Sequence, residues 1–347
     1  MSRNAVAAFR GLGFDDDDVA ALGYATRAEG TWQANGRPIL SIPDNPHTRQ
    51  AVALIGVHRQ RIHRMLCERA RQRGVEILTG MRITNVSPGA PDGARALVAG
   101  READLVVAAD GMHSALCHQL FPAARLTYSG YSSWRAITNR SLEITTLRQF
   151  WGPRAEFGIM PVAEDETYWY GYVSMPRQMI FANELAAARK RFEHWADPVQ
   201  KVLEATDPAA VIRHDVYHLP GGVPRYTRGR VVMIGDAAHG FLPTMGQGVA
   251  MALEGGLCVG LLIGHPVAAG GSLAAALIGF DRVRRPRGRA LGRASLLSAR
   301  IGSHLGGGLQ QTLRNSLMRL TPPSLLNRGA DAAMGWTPPA PAQPKSR

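Results

Sequence analysis

The stretch "GDAAHGFLPTMGQG", residues 235–248, sets one carboxylate, several glycines and a proline between the apolar run Val231 to Ile234 and the apolar, helix-like "VAMALEGGLCVGLLIG". A strand ending in Gly235 and Asp236 holds a carboxylate at the carboxyl end of a sheet. Open α/β folds bind ligands there, and such a carboxylate accepts hydrogen bonds from sugar or polyol hydroxyls. Gly246 and Gly248 let backbone approach a flat ligand closely, and the following helix aims unpaired N–H groups and its positive dipole end at it. Negative charge forming on the ligand is stabilised by that arrangement. A ligand with a polyol chain and a ring that becomes anionic on reduction meets both requirements, and reduced flavin is such a ligand. An Asp-Gly pair, Asp110 and Gly111, follows the apolar segment "DLVVAA". Taken alone, such a pair is a turn more often than a site.

The elements that would position these residues follow from periodicity. "AVALIGVHRQRIHRMLCERARQRGVEILTG" predicts a strand over 52–57, a helix carrying Ile62, Met65, Leu66 and Ala70 on one face, a stop at Gly74 and a second strand over 75–78. Short alternating strands are expected within 82–98, and a buried strand over 104–109 turns at Asp110 into a short helix. Residues 1–50 predict a helix in "NAVAAFRGLG", an acidic turn at Asp15 to Asp18 and a loop rich in Pro and Asn, with no strong strand. From about 126, "YSGYSSWRAIT", "RQFWG", "AEFGIMP" and "TYWYGYVSM" are aromatic and β-branched, the pattern of an antiparallel sheet. Helices over 184–195 and 198–206 and a strand near 210–218 come next. After "GRVVMIGDAAH" the chain predicts helix to about 320 and ends in a loose Pro-rich tail, "WTPPAPAQPKSR". The layout is an α/β domain (1–125), interrupted by a mostly β domain (126–222) and completed by 223–300, with a C-terminal helix and tail over 301–347.

Bulk properties narrow the partners. At 347 residues, 45% hydrophobic and 19% charged, the chain can bury a large core in about two domains. A net charge of +13 is compatible with nucleic acid, an anionic membrane surface or an acidic ligand. The arginines are spread along the chain, with one dense stretch, "RVRRPRGRALGR" at 282–293, and no zinc-finger spacing or RNA-reading aromatic motif accompanies them. That stretch reads as a solvated helix face, and no nucleic-acid partner is expected. Cys67, Cys117 and Cys258 form no CxxC pair and read as buried thiols of a reducing compartment. No signal-peptide pattern opens the chain, and the apolar stretch 249–269 is interrupted by Glu254, two glycines, His265 and Pro266, so a cytoplasmic protein with no membrane partner is expected. No metal is expected either, because no histidine has ligand spacing and His63 lies among arginines.

"GDAAHGFLPTMGQGVAMALEGG" resembles the GD motif, GDAAHxxxPxxGQGxxxALED, of the FAD-dependent aromatic-ring hydroxylases, the single-component flavoprotein monooxygenases. "DLVVAADGMHSAL", with Asp110, Gly111 and Ser114, is similar to a second motif of that family. "VHRQRIHRML" is similar to its HRxxLxxxL helix start and makes Arg59 the counterpart of an arginine that reaches the cofactor. "YSGYSSWRA" and "RRPR" further resemble the salicylate-hydroxylase-like branch. The resemblance implies a Rossmann-like FAD-binding domain, incomplete at its N-terminus, interrupted by a mixed-β substrate domain and followed by C-terminal helices. It implies that Asp236 holds the ribitol, Pro243 borders the flavin ring, the backbone of Gly246, Gln247 and Gly248 faces the pyrimidine edge, and Asp110 and Gly111 lie near the pyrophosphate. The reaction implied is reduction of FAD by NADH or NADPH, addition of molecular oxygen to give a flavin hydroperoxide, and transfer of one oxygen atom to a small aromatic or heteroaromatic substrate. The cofactor carries that chemistry, so no catalytic side chain is assigned. Substrate contacts are expected from Tyr131, Arg135, Tyr170 and Pro243. Tyr168, Trp169, Tyr170 and Tyr172 alternate at strand spacing, one face toward core and the other toward a pocket. Arg135 serves either an acidic substrate or a salt bridge to the other domain, and His239 packs beside the loop. A homodimer is allowed.

The pattern also departs from the family. Its opening strand, GxGxxG turn and helix, and the Glu that grips the adenosine ribose, have no counterpart, since "RGLGF" at 10–14 lacks a preceding strand and a third glycine. The first βαβ unit is therefore expected to be missing, either from the gene product or through the start assignment, with weak FAD binding or poor solubility as the result. Ala108, Cys117 and Gly255 replace a usual Gly, Arg and Asp. Two other readings compete with the monooxygenase: a truncated, inactive remnant that binds an aromatic ligand without FAD, and a flavin halogenase or isoprenoid-chain reductase. The absence of WxWxIP counts against the halogenase.

Overall fold

The computed structural model describes residues 1–340. Its largest sheet runs, in spatial order, Ile212–His218, Thr127–Thr138, Thr167–Ser174, Ala155–Pro161, Leu147–Gly152, Gly23–Gln33 and Pro38–Ser41, with Ala53–Val57 added beside the first half of Gly23–Gln33. All pairings are antiparallel except Gly23–Gln33 on Leu147–Gly152. The opening of the chain thus contains an 11-residue strand where none was expected. Its glycines weaken the local β signal, yet they are what allow the pairing. A Cβ on Gly23 would lie 1.9 Å from the carbonyl oxygen of Gly56, and one on Gly30, 2.3 Å from that of Leu40. Glu29, polar and mid-strand, is held by Thr146 and by Arg148 at 2.7 Å.

One face of this sheet is covered by the helices Glu184–Arg191 and Asp197–Glu204, which bury Trp134, Phe157, Trp169, Phe192 and Val199. The strand alternation expected for 168–172 holds: Trp169 is fully buried in that layer. Tyr170 and Tyr172 point to the opposite face.

A smaller sheet sets Val106–Ala108 parallel to Val231–Met233, with Thr227–Arg228 on the far side. The segment 104–109 forms only these three strand residues, and Val107 is 41% exposed rather than buried. Val75–Leu78 forms no strand, and Val75, Ile77, Leu78 and Met81 are exposed. Among the described residues Val106–Ala108 is paired along one edge only, so no ladder or cover is supplied on its other side. Residues 82–103 form a three-stranded meander, Val86–Ser87, Ala96–Val98 and Arg101–Ala103.

The helices Gly248–Val259 and Leu273–Ile301 pack on the small sheet, while Arg3–Gly11 and Arg59–Gln72 pack with Gly248–Val259 and with Ile55 and Val57 of the strand Ala53–Val57. Cys117 and Cys258 are buried, but Cys67 is half-exposed on Arg59–Gln72, 3.7 Å from His63, contrary to the expectation of three buried thiols. The continuous helical stretch Gly248–Ala268 is long and apolar enough to cross a membrane, with mean hydropathy 1.5. Half of it is buried inside the protein, and Glu254 ties it to Leu273–Ile301. That tie corrects the reading of 282–293 as a solvated face. Arg284, Gly288, Leu291 and Ser295 recur at helical spacing and form the buried side, so Arg284 is 1% exposed. Two further helices, Leu309–Arg319 and Pro323–Met334, follow. The loose tail expected from 336 onward lies mostly outside the described residues.

Candidate active site

The parallel register of the small sheet sets Met233 beside Ala108, and the Ile234 N–H donates to the Ala108 carbonyl at 3.1 Å. Asp236 and Asp110 therefore leave two neighbouring strands at the same carboxyl end. Gly235 takes φ 59°, ψ −146°, a conformation essentially reserved for glycine, and this turn delivers Asp236 to the start of the helix Asp236–His239. Burial pushes the Asp236 carboxyl above its ordinary 3.8, with the charge of Arg59 pulling the other way. Asp110 is differently engaged. Its carboxylate accepts from the Ser114 hydroxyl at 2.6 Å and the Leu116 N–H at 3.2 Å, while Ser114 caps the next helix by accepting from Cys117 N–H at 2.8 Å. These bonds make Asp110 the fastener of its own turn, in which Gly111 takes φ 81°.

The glycines at 246 and 248 face open space: no heavy atom lies within 4 Å of where a Cβ would stand on either. Gly246 has φ 61°, and the helix Gly248–Val259 begins without a side-chain cap. Its first N–H groups therefore have no side-chain partner. Gln247 contributes only backbone to that side. Its buried side-chain amide accepts from Asn4 at 2.9 Å and donates to Ser2 at 3.1 Å. Behind it, Glu254, fully buried, accepts from Asn4 at 2.7 Å, Arg284 at 2.8 Å and Arg287 at 2.6 Å. This cluster locks the loop to the first and the long helix, and sequence reasoning took Glu254 only as a break in an apolar run.

Pro243 opens a short 3-10 turn, Pro243–Met245, beside the large sheet. Leu242 packs with Tyr131, Tyr172, Val216 and Ala299. Thr244 donates to the Ser295 carbonyl and Ser295 to the Leu242 carbonyl, each at 2.8 Å, fixing the loop to the long helix. Tyr131 stacks on Tyr172 at 4.8 Å and on His304 at 4.0 Å, and the Tyr172 hydroxyl lies 2.9 Å from His304 Nε2. Tyr170 lies across Gly158, where a Cβ would come within 2.1 Å of its ring, donates to Glu156 at 2.5 Å and accepts from Gln149 at 2.9 Å. Burial pushes Glu156 up to about 7, and burial pushes His304 down to about 4. Arg135, the cross-strand partner of Tyr170, forms no salt bridge among the described residues, and its Nε is buried without a partner. Burial lowers the His214 imidazole, and the charges of Arg135, Arg213 and Arg59 add to that effect.

The charge of Arg59 thus acts on both Asp236 and His214, that of Arg135 acts on His214, and Leu242 brings Tyr131 against the loop of Pro243. Gly246, Gln247 and Gly248 form the open cradle, while Asp110 and Gly111 sit at the end of the adjacent strand. His239 is buried between Tyr226 and Phe241, and burial pushes it down to about 4, so it packs as a neutral ring. Glu156, His214 and His304 were missed, because strand alternation alone does not say which residues of distant strands converge. An uncapped helix start, an open glycine cradle and a carboxylate that accepts no hydrogen bond among the described residues fit a flavin dinucleotide.

The FAD binding domain family model matches residues 4–291. Aurachin C monooxygenase/isomerase of Stigmatella aurantiaca is 31% identical over 87% of this chain and 78% of its own length. The 3-amino-4-hydroxybenzoate 2-monooxygenase of Streptomyces cremeus is 31% identical over 92% and 81%. Among solved structures, Klebsiella pneumoniae HpxO complexed with FAD and uric acid is similar with TM-score 0.82 and 25% identity, covering 96% of this chain and 86% of that one. A salicylate hydroxylase substrate complex shares the fold, with TM-score 0.74 and 19% identity over 99% and 90%. The family match does not favour an inactive remnant. The chain belongs to the FAD-dependent aromatic-ring monooxygenases, flavoproteins built on this FAD binding domain.

Proposed function

We propose that this chain binds FAD with Asp236 at the ribitol, the backbone of Gly246 to Gly248 at the pyrimidine edge, Pro243 beside the ring, and Arg59 and the Asp110–Gly111 turn toward the phosphates. It consumes NADH or NADPH and molecular oxygen and hydroxylates a small aromatic or heteroaromatic substrate. The observation that carries this reading is the packing of Leu242 on Tyr131 and Tyr172, which brings an aromatic wall to the loop bearing the glycine cradle. The relatives' names point the same way: one acts on an aminohydroxybenzoate, and HpxO was solved with uric acid.

Bound FAD supplies the oxygen-transfer chemistry. The chain's own residues bind, orient and exclude water. Tyr131 and Tyr170 present ring faces and edges to a flat substrate, and ligand sites are lined in this way. The unpaired Nε of Arg135 attracts an anionic or carbonyl oxygen, since a buried donor without a partner gains most from meeting one. Tyr170 keeps its proton directed at Glu156, and Gln149 donates to the same hydroxyl oxygen, so its orientation is set before substrate arrives. The first N–H groups of Gly248–Val259 stabilise negative charge on the ring that they face.

The test is Asp236→Ala. Loss of a hydrogen bond to a charged group predicts FAD weakened by about 1.5–3 kcal/mol in a chain that still folds. Purified parent protein should be yellow and should oxidise NAD(P)H faster with an aromatic acid present. Equal FAD affinity in parent and variant removes Asp236 from the site, and no flavin uptake by the parent removes the reading as a whole.

A further inference from the structure

Between Asp281 and Asp331 the sequence contains no acidic residue and ten arginines. Six of them, Arg282, Arg289, Arg293, Arg300, Arg319 and Arg328, are exposed. Within this stretch the helix Leu309–Arg319 is turned opposite to the usual sense. Leu309, Leu313 and Leu317 are 88%, 62% and 61% exposed, as is Leu320 at its end at 78%, whereas Arg314 and Asn315 are buried. At 3.6 residues per turn the four leucines fall within roughly 80° of arc, so they make one stripe.

The orientation is fixed from below. Arg314 lies over the Trp151 ring at 4.9 Å, donates to the Ile301 carbonyl at 2.6 Å and to Asn315 at 2.7 Å, and Arg319 donates to the Pro38 carbonyl at 3.1 Å. The helix cannot roll its leucines inward without leaving those donors unmade. Ile301, whose carbonyl Arg314 holds at the end of the long helix, is itself 40% exposed. Scattered exposed leucines need no explanation, but a fixed stripe does.

We propose that this face docks on an anionic phospholipid bilayer, with Leu309, Leu313, Leu317 and Leu320 entering the acyl boundary and the exposed arginines meeting headgroup phosphates. An amphipathic helix that pairs an apolar stripe with basic surroundings and no acid lies in such an interface. A second copy fits less well, because an isologous contact would set this arginine-rich stretch, which contains no acid, against itself. Nucleic acid would match the arginines but leave the leucines without a partner. The proposal reverses the sequence-based expectation of no membrane partner and is independent of the flavin site.

The test is cosedimentation of the full chain with vesicles of phosphatidylcholine alone and of phosphatidylcholine mixed with phosphatidylglycerol, at low and high salt. Binding to the mixed vesicles should exceed that to phosphatidylcholine by at least tenfold and weaken with salt. Leu313→Ser/Leu317→Ser, at exposed positions, should lose at least tenfold while keeping the circular dichroism and thermal midpoint of the parent. Equal binding to both vesicle types, or unchanged binding by the leucine variant, overturns the proposal. So does a dimer in sedimentation equilibrium that the leucine variant converts to monomer, or binding to a duplex oligonucleotide with none to the anionic vesicles.

Discussion

Glu254→Gln tests the structural account most directly. The carboxylate is fully buried and holds Arg284, whose side chain is 2% exposed, at 2.8 Å, together with Arg287 and Asn4. Glutamine keeps the shape and removes the charge, which leaves Arg284 as a buried cation without a counter-charge. Breaking a buried pair from one side costs about 3–5 kcal/mol, a large part of a margin of roughly 5–15 kcal/mol. Arg287 adds less to that figure, because its side chain, 18% exposed, reaches water while that of Arg284 does not. The pH dependence has a defined sign. Burial raises the Glu254 pKa, but Arg287, Arg284 and Asn4 together more than offset it, so the group lies below its ordinary 4.5. Its contribution is therefore present above about pH 4.5, the unfolded value, and is lost as pH falls through the lower, folded value. Urea midpoints by tryptophan fluorescence should show a large deficit for Glu254→Gln near neutral pH that shrinks in acid. The double variant Glu254→Leu/Arg284→Met should recover most of it, since an apolar replacement of a whole buried pair is often neutral. A single variant within about 0.5 kcal/mol of the parent, a size typical of surface changes, would refute the assignment of this cluster as the tie between loop and helices.

Three other outcomes are expected. Because burial lifts Glu156 from 4.5 to about 7, the parent should lose stability as pH rises through that interval, by about 3 kcal/mol at the alkaline end, and Glu156→Gln should not; parallel urea midpoints across pH would oppose this. Gly248→Val fills open space at a helix start, so FAD affinity should fall at least tenfold with the thermal midpoint nearly unchanged, and a variant that binds FAD like the parent would show that the cradle faces something else. The one-sided pairing of Val106–Ala108 and the exposed apolar residues at 75–81 predict rapid hydrogen exchange there. Exchange at 75–81 and 106–108 as slow as in the paired strands Thr127–Thr138 and Thr167–Ser174 would refute this account.

Local chemistry made much of this protein legible without coordinates. The GD loop could be read because its geometry is written into residue types: Gly235 and Gly246 take backbone conformations with positive φ, and Pro243 starts a turn. The two helices that cover the large sheet and the alternation through Tyr170 were visible for the same reason, since period and caps act over a few residues. The strand Gly23–Gln33 was not, because its partners around Thr146 and Arg148 lie about 119 residues away and its glycines look like breakers until their close contacts are known. The two strand-end aspartates differ in what they hold: Asp110 is engaged within its own turn by Ser114 and Leu116, while Asp236 keeps its side-chain oxygens unengaged among the described residues. Glu254 and Arg284, 30 residues apart, each read alone as a disturbance, one in an apolar helix and one in a charged face. Only packing of the two helices, which excludes water from both charges at once, turned them into a pair.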